Sequence, residues 1–277
     1  MREITFEELK NIEKDILFQF DNYCRLFSLR YSLGGGTLLG AVRHNGFIPW
    51  DDDVDVMMPR PDYDRFLAIC KENKPPFDVI SHESDPDYYH LFSKAQARFT
   101  FTDNGSNNKR YGISIDVFPI DGLGGDQRVA VRNFNRSSFW RELLIAKKWA
   151  RYSRSKTHSI IYEPIRLTLF ILSRFVSANK LITKIEKIMR SIDFDSSEYA
   201  GCICGSYRTA EIIPADHFKH YREIMFEGKP LLCIRDYEQY LQQHYGDYMK
   251  LPPKEKQVTH HTFKAYVLDE EEKGVKS

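Results

Sequence analysis

Four aspartates stand within five positions at Asp51-Asp52-Asp53-Val54-Asp55, a density of like charge that a fold rarely keeps without a cation to offset it. An extended backbone sends alternate side chains to opposite faces. Residues 51, 53 and 55 then share one side, and Val54, Val56 and Met58 take the other. The apolar side can anchor a strand over 53–58 in the core, leaving Asp53 and Asp55 aimed at a cleft. Their backbones would be roughly 7 Å apart, near enough for their oxygens to converge on a hard cation. Mg2+ takes such ligands and commonly shares its shell with phosphate groups. Mg2+, with Mn2+ as its substitute, is therefore the expected cofactor. Asp116, in Ile113-Ser114-Ile115-Asp116-Val117-Phe118, interrupts an apolar strand. A buried unpaired carboxylate is costly, so Asp116 is expected to face the same cleft as a third ligand. Asp121, in the next turn, reads as a cap. A calcium loop fits poorly, because its sixth and twelfth positions would be Val56 and Asp62 in place of glycine and glutamate.

The glycine run Gly34-Gly35-Gly36 lies between a short strand, Tyr31-Ser32-Leu33, and a helix predicted from Thr37 to His44 and ended by Asn45-Gly46. It is not a P-loop, since no Gly-Lys-Ser/Thr follows, and it lacks the GxGxxG fingerprint. Its value is its place at a helix N-terminus, where the amides of Gly35, Gly36 and Thr37 can hold a phosphate. Arg43, further along that helix, reads equally as a phosphate partner or as a surface arginine.

Lys and Arg number 40 against 39 Asp and Glu, which argues against a nucleic-acid binder, usually a clearly basic protein. Five scattered cysteines form no disulfide framework and favour a reducing compartment. The N-terminus has no apolar signal core. The most apolar window, 160–176, is interrupted by Glu163, Pro164, Arg166 and Arg174 and falls short of the ~20 apolar residues of a spanning helix. A cytoplasmic location is expected, including the inner face of the membrane.

Thr5-Phe6-Glu7-Glu8 has the form of a capping box. Helical periodicity follows to about Leu29 through Leu9, Ile12, Ile16, Leu17, Phe20, Tyr23 and Leu26. A helix over 62–71 and a strand over 77–81 come next. Strands over 89–102 and 112–118 are joined by a polar hairpin-like turn at 103–108. Residues 128–190 are helical and basic, and the chain beyond 202 is mixed. This predicts a catalytic core over 1–125 and a basic helical and mixed region over 126–277 packed on it. Residues 140–156 interleave Arg141, Lys147, Lys148, Arg151, Arg154 and Lys156 with Trp140 and Trp149. Such a stretch suits either an anionic membrane surface or a solvated cover over the core.

Gly35-Gly36-Thr37-Leu38-Leu39-Gly40-Ala41-Val42-Arg43-His44, continued by Gly46-Phe47-Ile48-Pro49-Trp50 and the aspartates, closely resembles the LicD family. These are phosphocholine transferases related to the fukutin proteins. Ile115-Asp116-Val117-Phe118-Pro119-Ile120-Asp121 resembles it too, as do Tyr245-Gly246-Asp247-Tyr248-Met249, Leu251-Pro252-Pro253 and His260-His261. The resemblance implies an α+β, nucleotidyltransferase-like mixed sheet flanked by helices, with a mostly helical and mixed C-terminal elaboration. It also implies transfer of phosphocholine, or a similar phospho-alcohol, from CDP-choline or a related CDP-alcohol to a glycan hydroxyl. Acceptors of this kind include teichoic acid precursors and lipopolysaccharide, and the glycan can be carried on a polyprenyl lipid.

In that scheme Asp53 and Asp55 bind one or two metal ions, and Asp116 would ligate the second and position, or deprotonate, the acceptor hydroxyl. Lys94 and Arg98 would neutralise phosphate oxygens or serve as solvated edge charges. Trp50, with Tyr88, Tyr89, Tyr111, Tyr207 and Tyr248, are candidates for a cage around a quaternary ammonium. His260 and His261 would reach a phosphate or a sugar. The alternative reading is a non-catalytic, metal-dependent glycan- or nucleotide-binding module, or a nucleotidyltransferase on another substrate.

Overall fold

The structure, a computed structural model, describes residues 1–103, 111–155, 159–259 and 263–268. In chain order its elements begin with β1 (Arg2–Glu3), α1 (Phe6–Leu26), β2 (Ser32–Leu33), α2 (Gly35–His44), β3 (Asp55–Pro59) and α3 (Arg60–Glu72). Then come β4 (Asp78–Ile80), β5 (Ser93–Gln96), β6 (Thr100–Asp103) and β7 (Ser114–Gly124). Helices α4 (Gln127–Asn135), α5 (Ser138–Lys148), α6 (Glu163–Arg174) and α7 (Ala178–Met189) follow. The last elements are β8 (Tyr199–Gly201), β9 (Ile212–Pro214), β10 (Tyr221–Phe226), β11 (Lys229–Ile234), α8 (Tyr237–Tyr245) and β12 (Lys264–Val267). The α+β expectation holds.

Two compact units interleave along the chain. One comprises Met1–Ile80, Phe92–Pro119 and Asp216–Ser277, the other Ser81–Leu91 and Ile120–Ala215. This partition departs from a single division at residue 125, because everything after 215 returns to the first unit.

The first unit is built on the strand order β2-β3-β7-β5-β4. Its chemistry is set by α1, whose capping box forms as the sequence predicts, with Thr5 and Glu8 each accepting the other's backbone N–H. The buried stripe of α1 is Leu9, Glu13, Ile16, Leu17, Phe20, Asp21 and Cys24. Leu26, an expected core position, is 74 % exposed. Phe20 meets Tyr31 and Phe66 edge-on at 5.3 Å, geometry that adds to area burial in aromatic clusters. The predicted strand over 89–102 is two strands. Ala97–Phe99 breaks it, with Phe99 at φ +59°. β5 pairs with β7, while β6 turns away to pair with β12. The polar turn at 104–108 lies outside the described residues.

The second unit packs α4, α5 and α7 around Phe134, Leu143, Leu144, Leu181 and Ile185. The C-terminal half of β7 pairs there with β8, and β8 with β9. Asp121 is a fully buried strand residue opposite Gly201, not a cap. Cys202 and Cys204 are free thiols with sulfurs 3.6 Å apart. Among the described residues, no helix is long and apolar enough to cross a membrane.

Candidate functional site

β3 begins at Asp55, so Asp51, Asp52 and Asp53 lie in the connection before it and not on the strand. The alternation argument therefore fails for 51 and 53, yet the carboxylates still gather. The Asp116 amide donates to the Val54 carbonyl at 2.8 Å, which sets Asp116 directly beside the aspartate run. Lys94 is the cross-strand partner of Asp116 and forms an ion pair with it, and it also reaches Ser114 Oγ at 3.4 Å.

Two anchors hold the connection. The buried Lys10 ammonium donates to the Pro49 carbonyl at 2.9 Å and the Ile48 carbonyl at 3.4 Å. On the far side, Glu227 accepts the Phe47 N–H at 3.1 Å. Asp52, which alternation turned away from the cleft, is buried.

The glycines have a role within the chain itself. Gly35 and Gly36 form the first turn of α2, and Gly35 sits at φ +48°, where glycine carries no steric cost. A Cβ on Gly35 would lie 2.7 Å from Asp55 Oδ2, and one on Gly36 would lie 2.6 Å from Asp51 Oδ2. The glycines thus make room for two of the site's own carboxylates at a helix N-terminus, where the dipole favours negative charge. The Gly35 N–H donates to the Tyr240 hydroxyl of α8 at 3.1 Å. The Thr37 hydroxyl accepts the Asp55 amide at 2.8 Å, fixing where the strand starts.

Glu13 of α1 also belongs to this cluster. It is 3 % exposed, and its Oε2 has no hydrogen-bond partner. Burial pushes its carboxyl well above the usual carboxylate range, and the charges of Asp53, Asp52 and Asp116 push it the same way. Asp55 is raised as well, by burial first and then by Asp53, Asp116 and Asp51, with Lys94 opposing. Glu13 occupies a core position of its helix stripe. That polar interruption is the sequence signal that would have found it.

Other expected residues have other partners. Arg43 donates to the Tyr248 carbonyl at 2.9 Å and the Lys250 carbonyl at 3.4 Å, so it clamps the Tyr-Gly-Asp-Tyr-Met segment. Arg98 lies off the strand and is tied to Asp78 and the Pro75 carbonyl. Trp50 is half-buried, edge-on to His44 at 6.3 Å. Tyr88, Tyr89 and Tyr207 belong to the second unit, and Tyr88 is fully buried. His260 and His261 lie outside the described residues.

Among the described residues, no three His, Cys, Asp or Glu side chains are arranged to hold a metal ion as they stand. The donor set nonetheless suits a divalent cation. It is all oxygen, as Mg2+ requires, and includes an orphaned buried carboxylate oxygen at Glu13 and an Asp55 whose ionisation is opposed by its neighbours.

Residues 28–159 match the family model described as the LicD/FKTN/FKRP nucleotidyltransferase domain, the class of protein that this sheet, helix and acidic cluster define. The chain is 30 % identical over 275 residues to the lipopolysaccharide cholinephosphotransferase LicD of Haemophilus influenzae, covering 97 % of this chain and 100 % of that one. It belongs to the LicD family. An uncharacterized protein of Rickettsia typhi is 26 % identical over 176 residues, 56 % of this chain and 50 % of its own length. One of Rickettsia prowazekii is 28 % identical over 179 residues, 56 % and 59 % of the respective chains.

Proposed function

We propose that this protein is a divalent-cation-dependent phosphotransferase that moves phosphocholine, or a similar phospho-alcohol, from CDP-choline or a related CDP-alcohol to a hydroxyl of a cell-surface glycan precursor. The observation that carries this reading is a set of mutually repelling carboxylates, with Asp51 and Asp55 against the glycine start of α2 and Asp53, Asp116 and the buried Glu13 within their field. The full-length similarity to a lipopolysaccharide cholinephosphotransferase supports the transferred group and a glycan acceptor.

Asp53, Asp55 and Asp116 would hold Mg2+ or Mn2+, which when bound offsets charge on the donor pyrophosphate and on the departing CMP. The chain's own residues supply the rest. Thr37 and Gly35 fix Asp55. Asp116, beside Lys94, takes the proton of the acceptor hydroxyl as its oxygen attacks phosphorus. Once that proton neutralises Asp116, its partner Lys94 keeps a positive charge that would face the phosphate oxygens. Glu13 lies in the field of Asp53, Asp52 and Asp116, and a bound cation would ease its ionisation.

The test is incubation with CDP-choline and a glycan acceptor, with and without Mg2+, following CMP. Metal-dependent CMP release with choline on the glycan is expected. Asp53→Ala with unchanged metal-dependent turnover would overturn the assignment.

A further inference from the structure

Helix α6 is amphipathic in the wrong direction for a helix in water. It buries Ser173 and half-buries Arg166, Leu169 and Phe170. Its opposite side exposes Ile165, Leu167, Ile171 and Leu172 and runs into Phe175, which is 83 % exposed. The turn before it adds Ile160 at 64 % and Ile161 at 73 %. Isolated exposed apolar residues are ordinary, whereas a contiguous run of this length marks a contact surface.

The border of this run says what contacts it. Arg174 donates to the Ala146, Lys147 and Trp149 carbonyls, placing the end of α5 beside the end of α6. At the other end of α6, Glu163 accepts from the Tyr152 hydroxyl and the Ser155 amide. The segment 147–154, with Lys147, Lys148, Arg151 and Arg154, therefore runs alongside the whole helix. Among the described residues of 139–175 there are seven Lys or Arg against Glu142 and Glu163, in a chain whose net charge is +1. Glu163 is already taken up by Tyr152 and Arg166.

An apolar strip edged by cations matches a surface that is apolar within and anionic at its rim. A second copy of the chain does not match, because a two-fold contact would set the same basic edge against itself. We propose that residues 160–175, flanked by the basic segment 147–154, dock this protein on an anionic phospholipid bilayer. The contact expected within 140–156 is thus redistributed. That stretch supplies the charge, while α5 turns Leu143, Leu144 and Ala146 into the core and α6 supplies the apolar face. The inference stands apart from the proposed reaction.

Co-sedimentation of the full chain with vesicles tests it, comparing phosphatidylcholine alone with phosphatidylcholine mixed with phosphatidylglycerol. Binding is expected to the mixed vesicles only and to weaken with salt. Ile161→Ser and Phe175→Ser, at exposed positions, should each lower binding about tenfold or more. The double variant Lys147→Gln, Arg151→Gln should lower it by roughly thirtyfold, at about 1 kcal/mol per charge. Wild-type protein that ignores anionic lipid overturns the proposal whatever the variants do. So does a dimer, seen by sedimentation velocity, that Phe175→Ser dissociates.

Discussion

Glu13 and Asp21 are eight positions apart on α1, about two turns, and both are buried, yet their surroundings are opposite. Asp21 accepts from Arg25 at 2.8 Å and from the Tyr31 hydroxyl at 2.7 Å, and Lys229 lies 2.8 Å from its other oxygen. Cations from α1 itself and from β11 close around it. Glu13 points instead into the field of Asp52, Asp53 and Asp116. One helix thus carries a carboxylate that the fold neutralises and one whose ionisation its neighbours oppose. The first is scaffold and the second borders the proposed site, a distinction that burial alone does not make.

Changing one residue in each region should separate these roles. The largest effect is expected from Asp53→Asn. CMP release should fall about a thousandfold or more as the cation's hold on the phosphate is lost, while the thermal midpoint stays nearly constant. Asp21→Asn should do the reverse. Stranding Arg25 and Lys229 costs about 3 kcal/mol of stability by denaturant titration, yet the folded fraction keeps its turnover. If Asp21→Asn abolishes turnover without loss of stability, the contrast is wrong.

Gly36→Ala is expected to lower turnover by roughly a hundredfold, because its methyl occupies the place of Asp51 Oδ2. Intermediate in size is the pH response. Glu13 and Asp55 have folded-state values raised above their usual 4.5 and 3.8. The native state therefore holds protons that the unfolded chain releases, and stability falls as pH rises above those usual values. In a metal-free thermal scan the midpoint should drop across that range, and Mg2+ should restore it more at higher pH. The smallest effect is that of Glu13→Gln. It should raise the metal-free midpoint by a few degrees while weakening Mg2+ stabilisation, measured by the same scan.

Local chemistry was legible in the sequence. The capping box of α1, the left-handed Asn45 that ends α2 and the association of Asp116 with Asp53 and Asp55 were all readable from spacing and residue type. Pairing between distant segments was not. Nothing near residue 240 announces that its tyrosine hydroxyl accepts the Gly35 amide, and nothing near Arg43 announces that it holds residues 248–250. At the glycines, a sequence shows the absence of a side chain but not which neighbour fills the space. Glu13 escaped because a single polar residue on an apolar stripe reads as tolerated variation until its surroundings are known. The strand begins at Asp55, two residues later than alternation predicts, because the alternation of Asp and Val continues into a connection held by Lys10 and Glu227.

The link between Gly35 and Tyr240 spans 205 positions, as does that between Arg43 and Tyr248. At about 5–20 residues per second of synthesis, the ribosome releases the acidic stretch about ten to forty seconds before its supports. The second unit, ending at Ala215, can be complete in that interval while the first is still open. A nascent chain therefore carries its aspartates before the residues that hold Gly35 and Arg43 exist, and those two links can form only once α8 and Tyr248 have been made.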